Sequence, residues 1–140
     1  MIGYKVVQDL KRVLCSFNDK SSTSIFYKEY NIGEWTFANE EMLQLGYGLL
    51  LFDTLEHAKN FMNVYRAFSE ILKCIEVEIN DDDIIPLPPT GKCTYMRKKI
   101  NIADFKTCIE EHGFSRSYWD TFPSGTINVK KLYAKKIIPI

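Results

Sequence analysis

The chain has 140 residues, 46% of them apolar and 26% charged, the make-up of a single globular domain able to close a hydrophobic core. Eighteen basic residues balance eighteen acidic ones, and a formal net charge of zero is not that of a dedicated nucleic-acid binder, which carries a basic excess. No apolar run approaches the ~20 residues of a membrane-spanning helix, and the opening MIGYKVVQDLKRVL lacks a signal-peptide pattern, so a cytoplasmic location is expected.

Ile2 to Val7 reads as a strand with Tyr4 and Val6 on one face. Gln8 to Phe17 stays open between a short helix, on the spacing of Leu10, Val13 and Leu14, and a continuation of that strand. A polar turn is expected over Asn18 to Ser24, a second strand over Ile25 to Tyr30, and a break at Asn31-Ile32-Gly33. Glu34 to Phe37 reads as a brief extended piece anchored by Trp35, and Asn39 to Gln44 as a helical turn or loop.

The stretch from Gly46 to Ile79 reads as strand, helix, strand. Leu49 to Phe52 is a short apolar run, as in a strand buried on both faces. Asp53 or Thr54 offers a capping oxygen, with Glu56 three residues beyond Asp53, close to a capping box. Leu55, Ala58, Phe61, Met62 and Tyr65 recur at helical spacing, and Ile71 to Ile79 is β-branched and strand-like. Phe52, Leu55, Ala58, Phe61 and Val77 are expected to share one core.

Asn80 to Asp83 ends the strand, and Pro86, Pro88 and Pro89 force an extended connection. Lys92 to Ile100 is basic, with a possible strand at Cys93 to Met96. A second helix is expected from Asn101, striped by Ile102, Phe105, Cys108 and Ile109 and ending near His112-Gly113. Phe114 to Phe122 is irregular, Pro123-Ser124-Gly125 is a turn, and Thr126 to Ile138 supplies one or two strands. Strands outnumber helices and most connections are short. The fold class expected is α+β: residues 1–140 as one domain, a curved, mostly antiparallel sheet with about two packed helices.

Candidate chemistry is sparse. Glu76 and Glu78 share a strand face, which suits acid–base work or, more simply, a solvated sheet face. Asp81-Asp82-Asp83 lacks the spacing and closing Glu of a calcium loop. The histidines, His57 and His112, sit at opposite ends of expected helices, where surface or capping roles are the default. Cys15, Cys74, Cys93 and Cys108 form no C-x-x-C pair and read as reduced, buried thiols. Two lysine-rich clusters, at 92–99 and 130–136, interleave with Tyr95 and Tyr133; that pattern suits single-stranded nucleic acid, but zero net charge favours ordinary solvated faces. Neither a metal site nor a cofactor is expected.

The central unit, Gly48 to Thr54 with Ala58 and Phe61 and then Ile71 to Val77, resembles the strand–helix–strand heart of ADP-ribosyltransferase-like domains. A wider resemblance, covering most of the chain, is to small uncharacterised proteins of bacteriophages and large DNA viruses. It rests on Tyr4-Lys5-Val6-Val7, Gly33-Glu34-Trp35, the Phe52 to Glu56 helix start and the turn Pro123 to Thr126. The transferase catalytic pattern does not carry over. Where that family places a His or Arg to clamp NAD, this chain has Tyr4 to Val7, and Ser22-Thr23-Ser24 and Glu76-Val77-Glu78 occur in the wrong places along the fold. The sparse catalytic chemistry and the high aromatic content lead to the expectation of a non-enzymatic accessory protein of a phage or virus that binds a protein partner of host or virus, inside the host cell. The alternative is a transferase-like enzyme, or a relative that still holds an NAD-like nucleotide.

The expected contact residues are Trp35, Tyr118, Trp119 and Phe122. They lie in irregular segments, where Trp and Tyr combine large rigid surface with a polar handle. The competing expectation is that both indoles plug the ends of the sheet.

Overall fold

A computed structural model describes residues 1–16, 27–87 and 122–139. Its centre is β1 (Ile2–Leu10), longer than the expected Ile2 to Val7. Lys11 and Arg12 both take positive φ, 52° and 71°, the paired left-handed residues of a tight hairpin. β2 (Val13–Ser16) therefore returns antiparallel, pairing Leu10 with Val13 and Val7 with Ser16. The open question over Gln8 to Phe17 is thus resolved, as far as Ser16, as strand and hairpin rather than helix, and Phe17 lies outside the described residues.

The remaining elements are β3 (Trp35–Phe37), α1 (Glu40–Gln44), β4 (Leu49–Phe52), α2 (Leu55–Val64), β5 (Leu72–Glu78), β6 (Ile84–Ile85), β7 (Thr126–Val129) and β8 (Lys131–Ile138). Among the described residues eight strands join one sheet in the order β3-β8-β5-β1-β4-β7-β6, with β2 on β1, and every pairing is antiparallel. Two α-helices accompany it among the described residues, so the fold class is α+β, as expected. β4, α2 and β5 do form strand, helix and strand. The two strands are not neighbours, however: β1 lies between them, pairing with β5 along its length and touching β4 at Tyr4–Phe52.

Local chemistry explains the boundaries. Thr54, not Asp53, caps α2: its Oγ1 accepts from the His57 amide at 3.2 Å. Asn39 caps α1 through Oδ1, which accepts from the Met42 amide at 2.8 Å. The expected strand from Ile25 reduces, over its described part, to a single bridge between Glu29 and Cys15, after which Tyr30 turns into the core. The polar turn at 18–24, the basic stretch with its possible strand, the second helix, His112, Tyr118 and Trp119 lie outside the described residues.

The sheet separates two apolar clusters. One holds Val7, Leu49, Leu51, Ile75, Val77, Ile79, Val129, Leu132 and Ala134, with Tyr30 and Met42 packed among them. The other, beneath α2, holds Val6, Phe52, Ala58, Phe61, Leu72 and Cys74. Phe61 stacks between Phe52 and Tyr65, with centroids 5.2 and 4.9 Å away. The expectation that Val77 joins Phe52, Leu55, Ala58 and Phe61 is corrected here. Side chains alternate along β5, so Leu72 and Cys74 meet α2 while Ile75 and Val77 face the opposite layer.

One buried polar residue ties the far edge together. The Asn128 side chain accepts from the Gly48 amide at 2.7 Å and donates to the carbonyls of Gly46 and Pro86 at 3.0 and 2.9 Å. A Cβ at Gly48 would run into the Val129 carbonyl, so this approach requires glycine.

Candidate functional site

α2 covers only part of its sheet face. Towards β8 and β3 no described element covers that face, and there the chain places aromatic and charged side chains side by side. On β3, Thr36 turns inward and is 8% exposed, while Trp35 and Phe37 turn outward at 39% and 58%. The register pairs Trp35 with Tyr133 and Phe37 with Lys131. Trp35 and Tyr133 meet edge to face, centroids 5.5 Å apart, and the Lys131 ammonium sits 4.9 Å from the Trp35 ring centre and 5.9 Å from that of Phe37. This is the geometry of cation–π attraction. Lys131 also approaches an Asp83 carboxylate oxygen, at 3.9 Å.

Further along the same face, Lys135 lies 3.7 Å from Glu76 and 4.0 Å from Glu78. Both glutamates do share a face, but they flank a cation rather than standing alone in water. The Glu76 side chain is only 20% exposed. Both carboxylates thus share Lys135 as an ion-pair partner.

Two motifs distant in sequence meet at the start of α2. Asp53 follows β4, and its amide donates to the Gly125 carbonyl at 2.9 Å. Its carboxylate lies 2.6 Å from His57 Nδ1. A carboxylate can only accept, so Nδ1 carries the proton, which in the neutral ring leaves the lone pair on Nε2. Gly125 has φ +81°, and a Cβ there would overlap both His57 Nδ1 and Asp53 Oδ1. An imidazole oriented this way can serve as a base through Nε2 when a reacting group comes within ~3 Å. Among the described residues no side chain is hydrogen-bonded to Nε2.

Glu78, Asn80, Asp81, Asp83 and Lys131 line an open recess of about 520 Å³. Among the described residues no three His, Cys, Asp or Glu side chains converge as metal ligands. Cys15 and Cys74 are buried and unpaired. Burial pushes the Cys74 thiol up to about 11 against a smaller opposing pull from Lys59, and burial likewise raises Cys15. Both are protonated at neutral pH, which suits neither a nucleophile nor a metal ligand.

Of the four expected contact residues, Trp35 stands at the open corner. Phe122 is partly buried against the larger core cluster. Tyr118 and Trp119 lie outside the described residues. Sequence reading missed Phe37, Lys131 and Tyr133 as companions of Trp35. The available signal was the alternation Trp35-Thr36-Phe37 opposite Lys131-Leu132-Tyr133, which allows the outer positions to form one cluster. Comparison with protein-family models, curated proteins and solved structures found no match to this chain.

Proposed function

We propose that this is a non-catalytic binding domain and that Trp35, Phe37, Lys131 and Tyr133 form its contact surface for a protein partner. The observation that carries this reading is the inverted pattern of β3. A threonine is buried while the neighbouring tryptophan and phenylalanine face solvent. Fully burying a phenylalanine side chain is worth roughly 1.5–3 kcal/mol, so the outward placement forgoes stability in the isolated fold. Trp and Tyr are the residues that dominate interface energetics, and Lys131 gives the cluster a charged centre. The resemblance to small phage and large-DNA-virus proteins supports placing the domain among the accessory proteins of such genomes.

Photo-crosslinking tests the reading. Replacing Phe37 with p-benzoylphenylalanine, in the cells that make the protein, is expected to yield a discrete adduct that Trp35→Ala abolishes. The same probe at Val64, 74% exposed on α2, is the control. Equal labelling from positions 37 and 64 would remove the basis for this surface.

A further inference from the structure

The β1–β2 hairpin turns on residues that resist turning. Lys11 and Arg12 hold φ at 52° and 71°, where an L side chain crowds the backbone and Asn-Gly would sit without strain. A strained backbone position points to a use for the side chain it displays. The tip also stands beyond the body of the sheet. The last ladder pair between β1 and β5 is Gln8 with Leu72, and the Asp9 amide still donates to the Ile71 carbonyl at 2.7 Å. From Leu10 to Val13 the only described strand partners are each other, and all four residues are exposed. Among the described residues neither Lys11 nor Arg12 forms an ion pair. Leu10 and Val13 stand directly opposite each other, 39% and 40% exposed, so one pair of aliphatic side chains lies beneath one pair of cations.

We propose that this tip rests on an anionic lipid surface, with Lys11 and Arg12 among the headgroups and Leu10 and Val13 entering the boundary with the acyl chains. The two kinds of side chain together select this surface. Basic residues are drawn to the negative potential of acidic lipids, and exposed aliphatic groups gain from the apolar layer just below. A nucleic acid would use the cations and leave the aliphatic pair in water. Of the neighbouring acids, Asp9 alternates to the sheet face opposite Leu10, and Glu70, in the turn before β5, is offset there by Arg66. The tip is separate from the aromatic corner. β5 pairs with Gln8 below the tip at its first residue and with Tyr133 of the corner at its last, so both surfaces are available at once.

Co-sedimentation of the full-length protein with vesicles at low ionic strength tests this. The vesicles are phosphatidylcholine alone, or phosphatidylcholine with about a third phosphatidylserine. Binding is expected only where phosphatidylserine is present. Lys11→Asn combined with Arg12→Gly removes both charges and gives the turn the residues it prefers. This variant is expected to raise the chemical-denaturation midpoint and yet to bind more weakly, by roughly 5-fold for each cation removed. Leu10→Thr combined with Val13→Thr keeps the charges and the strand propensity, and is expected to weaken binding by ~3–10-fold. Equal binding to the two kinds of vesicle, no binding to either, or equal binding by wild type and the Asn-Gly variant overturns the proposal. So does a midpoint lowered by Asn-Gly, because the turn would then carry no strain. Tighter binding to single-stranded DNA than to vesicles, unchanged by the Thr pair, overturns it in favour of nucleic acid.

Discussion

The two ends of one sheet face are finished in opposite ways. Beneath α2, Phe52, Phe61, Leu72 and Cys74 are sealed by an amphipathic helix. Across β8 and β3, Trp35 and Phe37 meet solvent beside the half-buried Tyr133, around a lysine. Both ends are rich in aromatics, so composition does not distinguish them. The distinction lies in the neighbour: one set of rings has a helix with matching spacing joined directly to its strand, and the other lies on an edge strand that no described element covers. Aromatic residues are core where the chain supplies a lid and surface where it does not.

Removing a ring from each end gives the largest contrast. Phe61→Ala should cost about 3–5 kcal/mol, the usual loss for a buried phenylalanine, seen as a lower chemical-denaturation midpoint at unchanged slope. An unchanged midpoint would mean that α2 does not seal its end.

The joint that anchors α2 comes next. Gly125→Ala must accommodate a positive φ and displace the Asp53–His57 pair, so a loss of roughly 1–3 kcal/mol is expected in the same assay. A wild-type midpoint would show that the turn and the helix start are not held together as described.

Alkali tests the buried thiol beneath α2. Cys74 titrates near 11 in the fold and near the ordinary thiol value of 9.0 when unfolded. The folded state then holds the extra proton, so its contribution to stability is complete below pH 9 and is lost as pH rises towards 11. Buried Cys15 and Tyr30, also raised by burial, add to the same trend. Denaturation midpoints taken from pH 8 to 11 should fall more steeply for wild type than for Cys74→Ala, and parallel curves would contradict the burial of this thiol.

The smallest effect is expected at the open end. Phe37→Ala should leave stability within ~0.5 kcal/mol of wild type, as substitutions at exposed positions generally do. A loss approaching that of Phe61→Ala would mean that the ring is packed.

Much of the sealed half could be read from sequence, because its signals are local. Helical spacing from Leu55 to Tyr65, the Thr54 cap and the apolar run Leu49 to Phe52 each sit within one element. What escaped depends on pairing across long separations or on backbone states without a residue signature. Left-handed turns are usually marked by Gly, Asn or Asp, so Lys11 and Arg12 gave no hint of the hairpin. Nothing local says that β1 separates β4 from β5, and hence that Val77 faces away from α2. At the corner, Trp35 was legible as an aromatic outside the regular pattern. Its companions were not, because Lys131 and Tyr133 reach it only through the β3–β8 register, and Thr36 reverses the hydropathy expected of an inward position.

The account stands or falls on whether that corner is open in solution. Trp119→Phe leaves Trp35 as the single indole of the chain, and acrylamide quenching of its emission, at a concentration where sedimentation shows a monomer, reads its accessibility directly. The account predicts ready quenching, well above that of a buried indole, with protection appearing when a partner binds. An indole already shielded in the monomer would show the corner to be closed by the chain itself, and the contact surface proposed here would not exist.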